Sequence, residues 1–207
     1  MKTVVFALAC CLNLAVALNP GNASAQASSA SAASADEFAD ERLRKVMTAV
    51  AGQPLTAAPF VERRTSALFA SPLESRGTLS FKPSGVIEKL TTSPQRESMT
   101  LTAETITLDA GNGAAPQVIK METQGPLTPY VQGLRAVPSG DEKLLRQVFD
   151  TRMTGSFDAW KIHLRPKGPA PRRGIKQIVI GGSGGKLHTI ETTEINGDVQ
   201  EMTITVR

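Results

Sequence analysis

The chain has 207 residues, 41% hydrophobic but only 4% aromatic, and a formal net charge of +4 from 23 basic and 19 acidic side chains. That charge is too mild, and the basic residues too scattered, for a nucleic-acid partner, which needs a dense basic stripe with stacking aromatics. The two cysteines, Cys10 and Cys11, are adjacent in the first apolar stretch, so the rest of the chain has no disulfide framework, thiol nucleophile or thiolate metal site.

Lys2 supplies a positive n-region, and Thr3 to Leu18 form an apolar h-region interrupted only by Asn13. Asn19-Pro20-Gly21 then breaks any helix, and Ala23-Ser24-Ala25 supplies small residues for cleavage. This is the layout of a secretory signal peptide, residues 1–25, cut after Ala25 with a near alternative after Ala27. A membrane anchor would need about 20 apolar residues. A lipoprotein signal would need its cysteine after a complete h-region, and Cys10 comes too early. Residues 26–35 are almost all Ala and Ser, a flexible leader that cannot bury enough to order itself. Residues 36–207 follow as a single domain with room for a sizeable core.

Ser34 or Asp36 can cap a helix that carries Leu43, Val46, Met47 and Val50 on one face and ends at Gly52 and Pro54. After Pro59 the period changes to two. Leu79 and Phe81 alternate with Thr78 and Ser80, Met99 and Leu101 with Ser98 and Thr100, and Ile106 and Leu108 with Thr105 and Thr107. Gly111-Asn112-Gly113 makes a turn. Farther on, Trp160, Ile162 and Leu164 alternate with charged residues, as do Met202, Ile204 and Val206 with polar ones, and Asn196-Gly197 signals a hairpin. About ten short strands are predicted, each with one dry and one wet face. Pro126 to Phe149 interrupts them as helix, with Leu127, Tyr130, Val131 and Leu134 on one face and a break at Pro138-Ser139-Gly140. One helix, a long antiparallel run and a helical insertion predict an α+β fold: a curved antiparallel sheet, or half-open β-barrel, with helices covering the open side.

Three features tempt towards other chemistry. Gly181-Gly182-Ser183-Gly184-Gly185 matches the G-x-S-x-G nucleophile elbow, but Lys186 to Ile195 reads as a strand where that motif needs a helix, and His188 comes too soon. A Gly-rich hairpin turn is the simpler reading, and no catalytic residue is assigned. His163 and His188 lack second ligands at a usual spacing, so no metal and no cofactor is expected. Arg165, Lys167, Arg172, Arg173 and Lys176 cluster around the Pro-rich loop Pro166 to Pro171, either as a solvated loop or as a contact with anionic head groups.

Several stretches together carry a family likeness. Phe60-Val61-Glu62-Arg63, Pro72-Leu73, Gly77-Thr78-Leu79-Ser80-Phe81-Lys82-Pro83 and Glu88-Lys89 resemble the N-terminal half of LolA-like outer-membrane lipoprotein carrier proteins. Gly140-Asp141 with Leu144 and Phe149, then Phe157 to Pro166, Ile175 to Ile180, Gly185 to Glu191 and Asn196-Gly197-Asp198, are similar to the second half. The likeness covers nearly all of 60–207.

The resemblance implies a monomeric periplasmic half-barrel with an apolar concave face under a helical lid. Such a protein takes acyl chains of a lipoprotein or lipid from a transient inner-membrane donor and passes them to an outer-membrane acceptor, as a chaperone without enzyme activity. An acyl chain in water costs about 0.8 kcal/mol per exposed methylene, so unaided crossing is slow. On this reading the ligand-binding candidates are Phe60, Leu79, Phe81, Met99, Leu101, Ile106, Val131 and Leu134. Lys82 stands where the family has an arginine that latches the lid, without arginine's planar fork of donors. The family's Asp-Gly-Lys turn has no clear counterpart around Thr102-Ala103-Glu104, and the chain stops on a strand at Arg207 without the family's C-terminal extension. These departures mark a divergent member, whose cargo is a lipoprotein or a lipid such as an acylated pigment. The alternative is a non-transporting envelope module that senses lipid or binds a partner.

Overall fold

The structure is a computed structural model that describes residues 39–206 except 83, 122–127 and 169–173. The predicted signal peptide and leader, the capping candidates Ser34 and Asp36, Leu127, the side chain of Tyr130, and Arg172 and Arg173 lie outside the described residues.

The first helix, α1, covers residues 39–51 of the described chain. Its face of Leu43, Val46, Met47 and Val50 is buried, as the i, i+3, i+4, i+7 spacing predicts. Six strands follow: β1 (Leu55–Thr65), β2 (Leu73–Phe81), β3 (Ile87–Ser93), β4 (Glu97–Leu101), β5 (Thr105–Asp109) and β6 (Gln117–Lys120). Two helices, α2 (Thr128–Ser139) and α3 (Glu142–Val148), interrupt the series. It resumes with β7 (Phe149–Ser156), β8 (Ala159–Pro166), β9 (Ile175–Ser183), β10 (Lys186–Glu194) and β11 (Val199–Ile204).

All eleven strands form one antiparallel sheet in the order β6-β5-β4-β3-β2-β1-β11-β10-β9-β8-β7, which does not close. Two meanders, β1–β6 and β7–β11, meet where β1 pairs β11 in the register Phe60↔Ile204 and Glu62↔Met202. The half-open barrel predicted from the alternation is the fold.

Boundaries differ from the sequence reading in three places. β1 begins at Leu55, before Pro59, because a register shift between Leu55 and Ala58, with Ala57 at φ 46°, lets the chain enter the sheet early. Pro59 sits where β11 runs out, and its carbonyl accepts from Thr205 N at 2.8 Å. Phe149, expected in the second helix, opens β7 instead, at extended φ −124° and ψ 145°. Pro138 lies inside α2, and the break falls at Gly140, whose φ of 70° reverses the chain.

The helices lie together against the sheet. Asp141 caps α3 by accepting from Leu144 N at 2.9 Å. Arg146 of α3 binds Glu142 at 2.8 Å and Asp40 of α1 at 2.7 Å, tying the two helices side by side. Under them, Trp160, Ile162, Leu164, Ile178 and Ile180 make the most buried part of the core. Trp160 packs against Gly182, where a Cβ would stand 2.3 Å from the nearest ring carbon, and its Nε1 donates to Gly184 O at 2.9 Å.

Candidate functional site

Strand register decides what the sheet presents to its concave side. One inward row joins Phe81, Ile87, Leu101, Ile106 and Ile119 across β2 to β6, and it is entirely apolar. The next, two residues along, reads Leu79, Lys89, Met99, Leu108 and Gln117, and a third reads Gly77, Thr91 and Glu97. The inward face therefore grades from apolar beside the β2–β3 hairpin to polar at the far end of the same strands.

A cavity of about 250 Å³ opens over this face. Leu79, Phe81, Ile87 and Met99 line it from the first meander, Ile190 and Met202 from the second, and Leu134 from α2. Four of the eight predicted ligand-binding residues, Leu79, Phe81, Met99 and Leu134, thus share one cavity wall. The other four, Phe60, Leu101, Ile106 and Val131, are buried in the core around it. A second, more open cavity of about 480 Å³ continues towards β6 between Thr91, Glu97, Ser98, Leu108 and Asp109, and the two share Lys89 and Met99. Together they fall in the range of pockets that enclose small apolar ligands.

The wall also carries a charged cluster that sequence reading missed. Lys89 Nζ donates to Glu62 Oε2, which also accepts from Ser75 Oγ at 3.1 Å, while Gln200 Nε2 donates to Glu62 Oε1. The ammonium stands 5.2 Å above the centre of the Phe60 ring. The side chains of Glu62 and Lys89 are 8% and 17% exposed. Leaving either charge there without its partner would cost several kcal/mol.

α2 forms the lid. Val131, Ala136 and Val137 are buried beneath it, and Gly133 lets its backbone approach the Phe149 ring so closely that a Cβ would stand 2.7 Å from the nearest ring carbon. Arg135 reaches the other way and donates through Nε to Gly85 O, in the β2–β3 hairpin, at 2.8 Å. Gly85 holds φ at 76°, and a side chain there would crowd the guanidinium at 3.1 Å. Lys82, the latch candidate, is exposed and pairs with Glu88 across the hairpin at 2.5 Å. The hydrogen bond that joins lid to hairpin thus runs from the helix to a loop carbonyl.

On the convex side His163 lies between Thr154, 3.2 Å from Nε2, and Gln177, 3.5 Å from Nδ1. Burial, then the charges of Lys161, Arg152 and Arg165, hold its pKa below the usual imidazole value against the opposing pull of Glu191. Gly181 to Gly185 ends β9 and forms the turn into β10, so Ser183 stands on a hairpin, not at a strand-to-helix elbow. Among the described residues no three His, Cys, Asp or Glu groups gather as a metal site would require.

An unclosed antiparallel half-barrel with a lidded apolar concavity is a module built to enclose an apolar ligand. A family model described as outer membrane lipoprotein carrier protein LolA-like matches residues 28–206, and the chain belongs to that family. Membership makes it a carrier-type module for lipid or lipoprotein and points to the cell envelope. No helix of the described residues is long and apolar enough to cross a membrane.

A LolA superfamily protein from Nitrosomonas europaea is similar over 81% of this chain and 91% of its own, at 10% identity and a TM-score of 0.41. The Pseudomonas aeruginosa MucA/MucB complex matches over 81% of this chain and 56% of the matched one, at 12% identity and a TM-score of 0.40. MucB with MucA(peri) matches over 81% and 54%, at 11% identity and a TM-score of 0.37. This chain therefore spans about half the length of the chains it matches in those two complexes. A search of curated protein sequences found no match.

Proposed function

We propose that this chain is a periplasmic carrier, exported by a signal peptide cut after Ala25, that shields acyl chains of a lipoprotein or lipid and moves them towards the outer membrane. The observation that carries this reading is the lidded cavity over the apolar row, lined by Leu79, Phe81, Ile87 and Met99 under α2, which Arg135 ties to the Gly85 carbonyl of the hairpin. Shielding needs no bond-making: the apolar wall replaces water around the methylenes, and a lid that opens at modest cost allows release. On this reading the chain loads from an inner-membrane donor and delivers to an outer-membrane acceptor, the route that the family likeness implies.

The test is transfer of a fluorescent acylated peptide from donor vesicles to acceptor vesicles across buffer, with and without the protein. Catalytic amounts should raise the transfer rate, and lipid extracted from the purified protein should contain acyl chains. Binding of the peptide without faster transfer would instead make it a non-transporting lipid-binding module. No binding at all would reduce the family likeness to shared fold.

A further inference from the structure

Shielding an acyl chain does not require the charged cluster in the cavity wall. A purely apolar wall would hold methylenes as well, and replacing a buried ion pair by hydrophobic residues is often neutral or stabilising. Yet Glu62 and Lys89 both point inward, from β1 and β3, at a particular place. Lys89 and Met99 are the residues common to the two cavities. On one side lie Phe81, Ile87 and Leu134, beside the latched hairpin. On the other lie Thr91, Ser98 and Asp109. Lys89 marks the boundary between a compartment for methylenes and a compartment for polar atoms.

The unused hydrogen-bonding capacity at that boundary says what it takes. Glu62 accepts from Lys89, Ser75 and Gln200, which occupies its two oxygens well. An ammonium has three donors, and among the described residues Lys89 gives one to Glu62. What remains is donor capacity on a pair of net zero charge. A neutral acceptor matches it. A carboxylate would have to settle against the carboxylate of Glu62 and compete with it for the same cation.

The geometry points to Lys89 as a binding residue for the ester or amide carbonyl of an acyl chain, with the tail lying towards Phe81 and Leu134 and the head in the outer cavity. The cargo is then an esterified or amide-linked acyl group in preference to a free fatty acid. This rests on the carrier reading of the same cavity.

Three ligands of one chain length separate the terms: monododecanoylglycerol, dodecylglyceryl ether, which lacks only the carbonyl, and dodecanoic acid. Calorimetric titration near neutral pH should show the ester binding the wild-type protein about tenfold tighter than the ether, the factor expected for one hydrogen bond from a charged donor. The acid should bind more weakly than the ester. Lys89→Met should bring ester and ether to equal affinity, and Lys89→Arg, which keeps donors, should retain the preference. Glu62→Gln, leaving Lys89 with an unneutralised charge, should raise the acid relative to the ester.

Equal binding of ester and ether by wild type would overturn the assignment while leaving the carrier reading standing. So would an ester preference that survives in Lys89→Met. If Lys89→Met does not fold, an unchanged acid-to-ester ratio in Glu62→Gln overturns it instead. Failure of all three ligands to bind wild type would sink the carrier reading itself.

Discussion

Replacing Arg135 by Met removes the hydrogen bond to Gly85 O while keeping most of the side chain's apolar stem. A hydrogen bond from a charged donor contributes about 1.5–3 kcal/mol, and Arg135 is only half-buried, so about 1–2 kcal/mol is the expected loss. That corresponds to roughly a 5- to 30-fold rise in the population with α2 lifted. The lid stays attached in the main, because Val131, Leu134 and Val137 remain buried under it. Hydrogen exchange at the amides of 131–139 should accelerate by that same factor, while exchange in β8 and β9 stays unchanged. Arg135→Lys should fall between, since a single ammonium can reach the carbonyl without the planar fork. Loading of an acyl probe should become faster and its retention shorter. Unchanged exchange in α2 would show that the contact does not hold the lid. Acceleration spread equally over the sheet would mean that α2 is an ordinary core helix whose loss unfolds the protein.

Trp160→Ala should cost about 3–5 kcal/mol in denaturant unfolding, because a fully enclosed ring leaves a cavity that rigid strands cannot close. Met99→Ala, at a partly buried position in the cavity wall, should cost less than about 2 kcal/mol yet weaken a fluorescent fatty-acyl probe several-fold; a large stability loss with full probe binding would place Met99 in solid core. Gly182→Ala should destabilise by at least about 1–3 kcal/mol, since the new methyl meets the Trp160 ring, and an unchanged melting temperature would refute the packing described. His163 has its folded-state pKa lowered, so the unfolded chain binds more protons below about pH 6.5. Stability should fall as pH drops through that value, and His163→Gln should flatten the decline; an identical pH profile in the variant would remove His163 from the account.

The sheet was legible because each strand keeps one wet and one dry face, and Thr-rich alternation in β4, β5 and β10 leaves little freedom to slip. The lid was legible from the spacing of Val131 and Leu134. Which dry residues face a cavity was not. Met99 and Ile106 share the same pattern in sequence, and only the position of α2 above the rows separates a wall from a core. The charged cluster was hidden for another reason. A charged residue on a strand is ordinarily outward, and nothing in the sequence around Glu62 and Lys89 marks them as exceptions. Seeing that they face inward requires the cross-strand register that pairs Lys89 with Leu79 and Glu62 with Met202. The latch was missed because its carbonyl belongs to Gly85, and a backbone acceptor carries no signature in a sequence.

The pairing of β1 with β11 also bears on how the protein acquires its function. Within each meander the strands join near neighbours in sequence, through hairpins that close quickly. The seam at Phe60↔Ile204 instead links residues from opposite ends of the domain, the kind of contact whose loop entropy slows folding most. The cavity draws Lys89 and Met99 from one meander and Ile190 and Met202 from the other, so it does not exist until that seam has zipped. A chain still being synthesised or threaded, with β11 not yet in place, has two partial sheets and lacks the wall that Ile190 and Met202 give the lidded cavity. On the carrier reading, ligand capture is reserved for molecules whose seam has formed, and the rate at which acyl-binding capacity appears during refolding reports the closure of that seam.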